Sequence, residues 1–401
     1  MSVSTTERPG HFPTVLASFL FFDMSFTLWV LLGALGVYIA ENLALGPAEK
    51  GLMVAVPILS GALLRVPLGL LADRLRDKKV GVAIMVFLFL PLTFAWQLGH
   101  SFPILLAIGL MLGAAGASFA VALPLASRWY PPSRQGLIMG IVALGNSGTV
   151  VANLVAPRLA DWKDWHSVFG MAMLPLSVVL VVFFLMAKDS PRHNTGQPSG
   201  YSLGTLKQSD LWWCGLFYSI TFGGFVGLSG FLPLFLRDQY GVSPIAAGYL
   251  TAAAAFLGPG GRPFGGYLAD RFGGVRVLSV LLLGIGVIYT LCASLPPIEV
   301  MMALFITGMV LLGTGSGAVF QLVGKRFPIE IGTATGGVGA IGGMGGFMLP
   351  NLLGSMKQVS GSFGPGLLML GLFACVGVAS LRKLASVRQS GADSSFWSAP
   401  S

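Results

Sequence analysis

The sequence predicts an all-α membrane protein: twelve transmembrane helices in two six-helix bundles related by pseudo-two-fold symmetry. Three observations predict it. Of 401 residues, 54% are hydrophobic and 10% charged, with a mean hydropathy of +0.80, far from the roughly 25% charge of soluble domains. Apolar runs of about 20 residues, the length that crosses a bilayer as a helix, recur twelve times. One segment then repeats in the second half: RVPLGLLADR from Arg65 returns as RPFGGYLADR from Arg262, 197 residues on.

Span 1, 13–40, is too long for the apolar core of a signal peptide, and MSVSTTERPG before it carries one arginine and no small-residue cleavage site follows. It is read as a helix that stays in the membrane, with one acid, Asp23, near its middle in FLFFDMSFTLW. Span 2, 52–72, carries Arg65; span 3 is 80–98; span 4, 103–127, carries Phe119 in GASFA. Span 5, 136–157, contains GIVALGNSG from Gly140 to Gly148, and span 6, 166–187, completes the first bundle, 1–190. The polar stretch SPRHNTGQPSGYS makes 191–208 a flexible cytoplasmic linker by composition. The second bundle, 209–388, holds span 7 (210–236, with Tyr218 and Phe222 in YSITF), span 8 (246–269, with Arg262), span 9 (277–296) and span 10 (299–323). Span 11, 333–354, reads GGVGAIGGMGGFMLP from Gly336 to Pro350, span 12 is 364–381, and the Ser-rich tail 389–401 is expected to be disordered.

Lysine and arginine set the orientation, because cytoplasmic loops carry the positive excess. With the N-terminus inside, 17 basic residues fall in cytoplasmic segments and five in outer loops, and Arg65 and Arg262 complete the 24. The net charge of +9 is therefore mostly topology and does not indicate nucleic-acid binding. Cys214, Cys292 and Cys375 are scattered without metal or disulfide spacing. The four histidines lie near span ends or in loops, and no nucleophile, triad or metal cluster stands out, so catalysis, metals and cofactors have no support. Gly337, Gly339 and Gly342 match a dinucleotide fingerprint by spacing, but inside a membrane helix with no preceding strand the match carries nothing.

The 197-residue offset extends beyond the arginines. Pro47 and Gly51 recur as Pro244 and Gly248, RWYP from Arg128 as KRFP from Lys325, and Gly140, Ala143, Gly145 and Gly148 as Gly337, Ala340, Gly342 and Gly345. An even number of helices per repeat keeps both halves the same way up, which puts a shared site between them near mid-membrane. An arginine at the bilayer centre costs roughly 2.5 to 3.5 kcal/mol on insertion scales, so two at equivalent repeat positions point to an anion. Counting ~1.5 Å per residue from each span centre puts both roughly 5 to 6 Å to the cytoplasmic side of the midplane, too deep to snorkel easily. The glycines of spans 5 and 11 let backbones approach, with Asn146 a polar side chain among them.

After each arginine comes a loop motif, with Gly69, Asp73 and Arg74 in the first copy and Gly266, Asp270 and Arg271 in the second. It resembles the loop between helices 2 and 3 of the major facilitator superfamily, and its Asp with nearby basic groups is expected to pair across a helix end and hold one conformation. Spans 5 and 11, with the two arginines, resemble the signature helices of the nitrate/nitrite porter family within that superfamily, although Ala143 stands where a further glycine is usual.

The resemblance implies a secondary carrier of nitrate, with nitrite as a further substrate, working by alternating access in a prokaryotic inner membrane as a monomer with cytoplasmic termini. It places Arg65, Arg262, Phe119, Tyr218 and Phe222 at the anion, with Asn146 a further candidate. The chemistry suits a flat, weakly hydrated ion: a planar guanidinium bonds its oxygens in plane while rings cover its faces. Two guanidiniums about 8 Å apart repel by roughly 2 kcal/mol at an effective dielectric of 20, whereas an anion about 4 Å from each gains about 4 kcal/mol per contact before its own desolvation. Asp23 is read either as structural, the partner of an arginine or of a local hydrogen bond, or as a candidate proton carrier whose protonation removes a charge that competes with nitrate for the arginines. Nitrate/nitrite exchange, carriage of another small anion and a nitrate-binding membrane sensor remain as alternatives.

Overall fold

The computed structural model describes residues 10–190, 203–327 and 331–389; the side chain of Asp73, the linker residues 191–202 and the tail from 390 lie outside the described residues. Among these, twelve long helical rods stand in two sets of six. Rod α1 runs through Phe12–Trp29, Leu31–Ala34 and Gly36–Asn42; α2 is Pro47–Leu75 and α3 Asp77–Leu98. Rod α4 joins Phe102–Gly116 to Phe119–Ser127, α5 joins Pro132–Ala143 to Gly148–Trp162 through a 3₁₀ turn at Leu144–Ser147, and α6 is Trp165–Met186. In the second half α7 joins Ser209–Tyr218 to Gly224–Tyr240 through a π turn at Ser219–Gly223. Then follow α8 (Pro244–Phe272), α9 (Gly274–Cys292), α10 (Ile298–Arg326), α11 (Ile331–Ser360) and α12 (Gly364–Gln389). Ten of the rods are long and apolar enough to cross a membrane; α8 and α11, rich in glycine and alanine, are 29 and 30 residues long.

Local chemistry explains where rods begin and end. Pro47 and Pro244 open α2 and α8, where a fixed φ helps and the missing N–H is not needed. The Glu49 carboxylate accepts from the Gly46 N–H at 2.8 Å, and Asp164 from the Ser167 N–H at 2.8 Å, each satisfying a first-turn donor. Arg76 and Gly273, one repeat apart, end α2 and α8 with φ of 86° and 88°. Only glycine adopts that freely, so the first copy holds the shared geometry against steric strain.

Several expectations change. Leu203–Leu206, inside the expected flexible linker, forms a helical turn against α11, and α12 runs to Gln389, beyond the apolar run of span 12. Among the described residues Gly140 has nothing within 4 Å of where a Cβ would sit, and Gly266 only the Gly317 carbonyl at 4.0 Å, so a methyl at either has room. The neighbouring Gly265 is packed on the Thr314 backbone with no room for a Cβ. In the loop motif Asp270 accepts from Gln321 at 2.9 Å and Arg271 reaches Tyr267 at 3.4 Å, both exposed. Among the described residues, ion pairs that cross helices at that end include Asp77–Arg128, whose acid lies in the first copy four residues past Asp73, and Asp210–Arg326, with both carboxylates buried.

The halves meet along α2 with α11, α5 with α8, and α1 with α7. At the end away from the basic loops the backbones almost touch. Gly51 lies on the Pro350 carbonyl, Gly354 on that of Pro47, Gly248 on that of Asn153 and Gly33 on that of Gly230, none leaving space for a Cβ. Small residues allow this, since helix association in a bilayer depends on packing. Two ion pairs cross between halves here: Lys50–Asp238 and Arg237–Glu41, each at 2.8 Å. At the basic end both Asp77–Arg128 and Asp210–Arg326 stay within one half. The conformation is thus closed at the non-basic end.

Lys50 and Asp238 side chains are 17% and 18% exposed, against 37% and 50% for Arg237 and Glu41, so the first pair is the stronger latch. Neutralising it with Lys50→Ala and Asp238→Ala is expected to speed labelling of Val54→Cys by an impermeant thiol reagent several-fold, in a Cys375→Ser background. The swap Lys50→Asp with Asp238→Lys should restore slow labelling; unchanged rates throughout would mean that the pair holds nothing shut.

Candidate functional site

Arg65 is only 2% exposed although it projects from α2 inside the membrane. Its Nε donates to the Gly116 carbonyl at 3.2 Å, where α4 breaks, and its Nη1 to the Gly339 carbonyl on α11 at 2.6 Å. One guanidinium therefore bridges both halves. Three rings face its carbon: Trp29 at 5.6 Å, Phe119 at 5.5 Å and Phe222 at 5.0 Å. Arg262 comes from α8 to the same Phe222 ring, at 5.1 Å. The two guanidinium carbons are therefore at most about 10 Å apart, the sum of the 5.0 and 5.1 Å legs to that centroid.

Tyr218, just before the π turn of α7, and Phe222, within it, supply the rings beside the arginines. Tyr218 and Phe222 stack at 4.9 Å with planes 7° apart, and the Tyr218 phenol acts electrostatically on both arginines. Phe320 of α10 meets Tyr218 edge-on at 4.8 Å and lies 6.3 Å from Phe119, so rings from both halves enclose the pair. Gly342 allows it, lying flat on the Tyr218 ring with no space for a Cβ, and Gly345 docks on Ser219, whose Oγ donates to Ile341 at 2.8 Å. The wider π turn releases backbone groups, and such irregular turns survive at membrane depth where protein surrounds them.

Charge is the unbalanced quantity. Among the described residues no carboxylate pairs with Arg65 or Arg262, and Nη2 of Arg262 is buried with no hydrogen-bond partner. Cation–π contacts return about 0.5 to 2 kcal/mol each, less than the several kcal/mol of burying an ion. A small anion would neutralise both guanidiniums and satisfy the open N–H.

The structure thus gathers Arg65, Arg262, Phe119, Tyr218 and Phe222. It places the others differently. Asp23 is half-buried and accepts from Ser147 Oγ at 2.7 Å; the groups acting on it are Ser147 and Gly148, not an arginine. Competition with an anion for the arginines is therefore not its geometry. Gly145 packs on Phe22 and the Asp23 backbone, Gly148 on the Asp23 carbonyl and Thr27, and Gly337 near Leu206 and Leu211. Asn146 is fully buried and neither amide atom has a partner among the described residues.

Trp29, Phe320 and Gly339 escaped the sequence reading. Trp29 fits because Gly61 and Gly116, from two other rods, both leave room for its indole. Leu123 stands one repeat before Phe320, so the offset could not flag that ring.

A family model described as the Major Facilitator Superfamily matches residues 17–350. The chain is 35% identical over 363 residues to the "Probable nitrate/nitrite transporter NarK2" of Mycobacterium tuberculosis, covering 88% of this chain and 92% of that protein. It is 32% identical over 345 residues to the "Nitrite extrusion protein" of Bacillus subtilis, covering 86% and 87%, and 30% over 387 residues to the "Probable nitrate/nitrite antiporter NarK1" of Thermus thermophilus, covering 88% and 87%. Among solved structures, the xylose transporter XylE from E. coli in a partially occluded, inward-open conformation superposes with a TM-score of 0.76 at 13% identity, over 93% of this chain and 97% of that one. That likeness concerns the fold alone. Matched along nearly its whole length, the chain is a membrane transporter and not an enzyme, and it belongs to the major facilitator superfamily, within its nitrate/nitrite porter family.

Proposed function

We propose that this protein carries nitrate, and nitrite as a second substrate, across a prokaryotic inner membrane as a monomer with both termini in the cytoplasm. One observation carries the reading: a buried guanidinium from one half and a part-buried one from the other meet the same Phe222 ring, and among the described residues no carboxylate pairs with either. The names of the relatives point to the same ions. Empty, the pair repels and resists tighter closure; loaded, the anion draws both halves together, and the closed end opens as the basic end shuts.

The proton is the proposed coupling ion, entering at Asp23, a carboxylate within a membrane rod. Exchange is the second reading, favoured because Asp23 touches Ser147 rather than an arginine and because one relative is named an antiporter.

The test is uptake of labelled nitrate into liposomes containing only this protein, with an imposed pH or nitrite gradient. Nitrate-specific counterflow is expected, and its absence for both ions would remove the carrier. If pH drives uptake, Asp23→Asn should uncouple it; a variant that still follows pH removes the proton role of Asp23.

A further inference from the structure

The segment joining α2 to α3 carries four cations in six residues, Arg74, Arg76, Lys78 and Lys79, whereas the equivalent segment between α8 and α9 carries two, Arg271 and Arg276. The surplus falls at positions 76 and 78, where the second copy has Gly273 and Val275. Arg76 holds φ 86° and ψ 136°, close to the 88° and 126° of Gly273, a backbone that favours glycine. An arginine kept under strain where the repeat itself uses a glycine points to a task for its side chain.

That task is not met by the protein. Arg74, Arg76 and Lys79 are exposed, and among the described residues no ion pair or hydrogen bond holds their side chains. Nearby acids are engaged elsewhere: Asp77 pairs with Arg128, and Asp189 accepts from the Lys78 backbone N–H at 2.9 Å. Chain adjacency keeps the cations together, since Arg76 caps α3 and Lys78 and Lys79 lie in its first turn. Lys78 sets its ammonium 5.0 Å from the centre of the Phe184 ring on α6. Phe184 and the next residue, Leu185, are 59% and 70% exposed, on the least buried of the ten apolar spans. In a bilayer those side chains meet acyl chains, and a lysine stem lying on them brings its charge to the level of the headgroups.

We propose that this segment binds an anionic phospholipid, its phosphate beside Arg76, Lys78 and Lys79 and its acyl chains along Phe184 and Leu185. Charge-assisted hydrogen bonds from a guanidinium and ammonium groups suit phosphate oxygens. A lipid also covers the apolar surface next to them, which a free phosphate does not. It supplies the counter-charge that the segment lacks, and the inference stands whichever ion the protein carries.

The test is native mass spectrometry of the full-length chain in detergent, titrated with phosphatidylglycerol or with zwitterionic phosphatidylcholine. Wild type should retain phosphatidylglycerol selectively. Arg76→Gly with Lys78→Val, which gives the first copy the residues of the second, should weaken that retention about tenfold or more, since each basic group near an anionic surface contributes roughly fivefold. Arg76→Lys, as strained as wild type and still charged, should keep most of the binding, as should Arg271→Gln with Arg276→Gln. Arg76→Gly alone should raise the thermal midpoint measured without added lipid, because glycine relieves the strained φ; a lower midpoint removes the strain argument and the proposal with it. Undiminished retention in the double variant at 76 and 78, equal retention of both lipids by wild type, or displacement of the lipid by excess inorganic phosphate overturns the proposal. So does an equal loss from the variant at 271 and 276, which would assign the effect to net charge alone.

Discussion

Arg65→Lys is expected to weaken nitrate binding by two orders of magnitude or more and to abolish detectable uptake. The guanidinium makes two hydrogen bonds, to Gly116 on α4 and to Gly339 on α11, while its carbon lies over the Phe222 ring at 5.0 Å. A lysine ammonium is one point on a flexible stem and cannot serve both carbonyls and an anion from that place. Hydrogen bonds to charged groups contribute about 1.5 to 3 kcal/mol each, and each 1.4 kcal/mol is tenfold in affinity, so losing one or two accounts for the size. Arg262→Lys should lose less, about tenfold to hundredfold, because among the described residues its Nη2 has no partner to forfeit, leaving the bond to the Tyr218 hydroxyl as the one at stake. Isothermal titration of both variants with nitrate checks the order as well as the size. Unaltered affinity in Arg65→Lys would falsify the planar-guanidinium argument, and Arg262→Lys as the worse variant would reverse the assigned division of labour.

Gly317→Val is the second large effect, at a residue that no motif singles out. Gly317 on α10 lies against the backbone of Arg262 itself: a Cβ there would overlap the Arg262 carbonyl oxygen and come within 2.8 Å of its carbon and 3.0 Å of the Gly266 nitrogen. Backbone cannot rotate away as a side-chain tip can. The rods must part, and the arginine moves with α8. Overpacking costs typically 1 to 3 kcal/mol, so the thermal midpoint should fall by several degrees. Nitrate uptake should fall more than tenfold, since a displaced Arg262 no longer shares the Phe222 ring. Gly140→Ala is the contrasting case: although it lies in a signature helix, nothing stands within 4 Å of the new methyl, and both midpoint and uptake should stay near wild type. A tolerated Gly317→Val would show that α8 and α10 can separate without disturbing the site.

These two glycines show how far a repeat can be read. Gly140 and Gly337 are visible as a pair because the 197-residue offset aligns them, yet one faces open space and the other meets Leu206 and Leu211. Gly317 does its work unannounced, because close approach depends on which rod lies opposite. The loop motif behaves likewise. Its Asp270 binds Gln321, whereas the buried ion pairs at that end use Asp77, four residues past Asp73 in the first copy, and Asp210, which only the crossing of rods picks out. The aromatic enclosure was half legible: Phe119, Tyr218 and Phe222 followed from the family resemblance, while Trp29 and Phe320 come from rods whose facing side no single sequence reveals.

Amino-acid order alone determined the membrane setting, the rods, their duplication and the two intramembrane arginines. Each follows from local composition or from a fixed offset, and transfer into lipid penalises charge wherever a helix crosses. Only the tertiary structure decided that both guanidiniums meet one Phe222 ring, that Asp23 binds Ser147 instead of an arginine, and that the non-basic end is latched by Lys50 and Asp238. Those outcomes depend on how rods rotate about their axes and where they break into 3₁₀ and π turns. Rotation and breakage are set by contacts between residues far apart in the chain, such as Gly339 under Arg65, and apolar rods that are hydrophobic on every side carry no stripe to announce them.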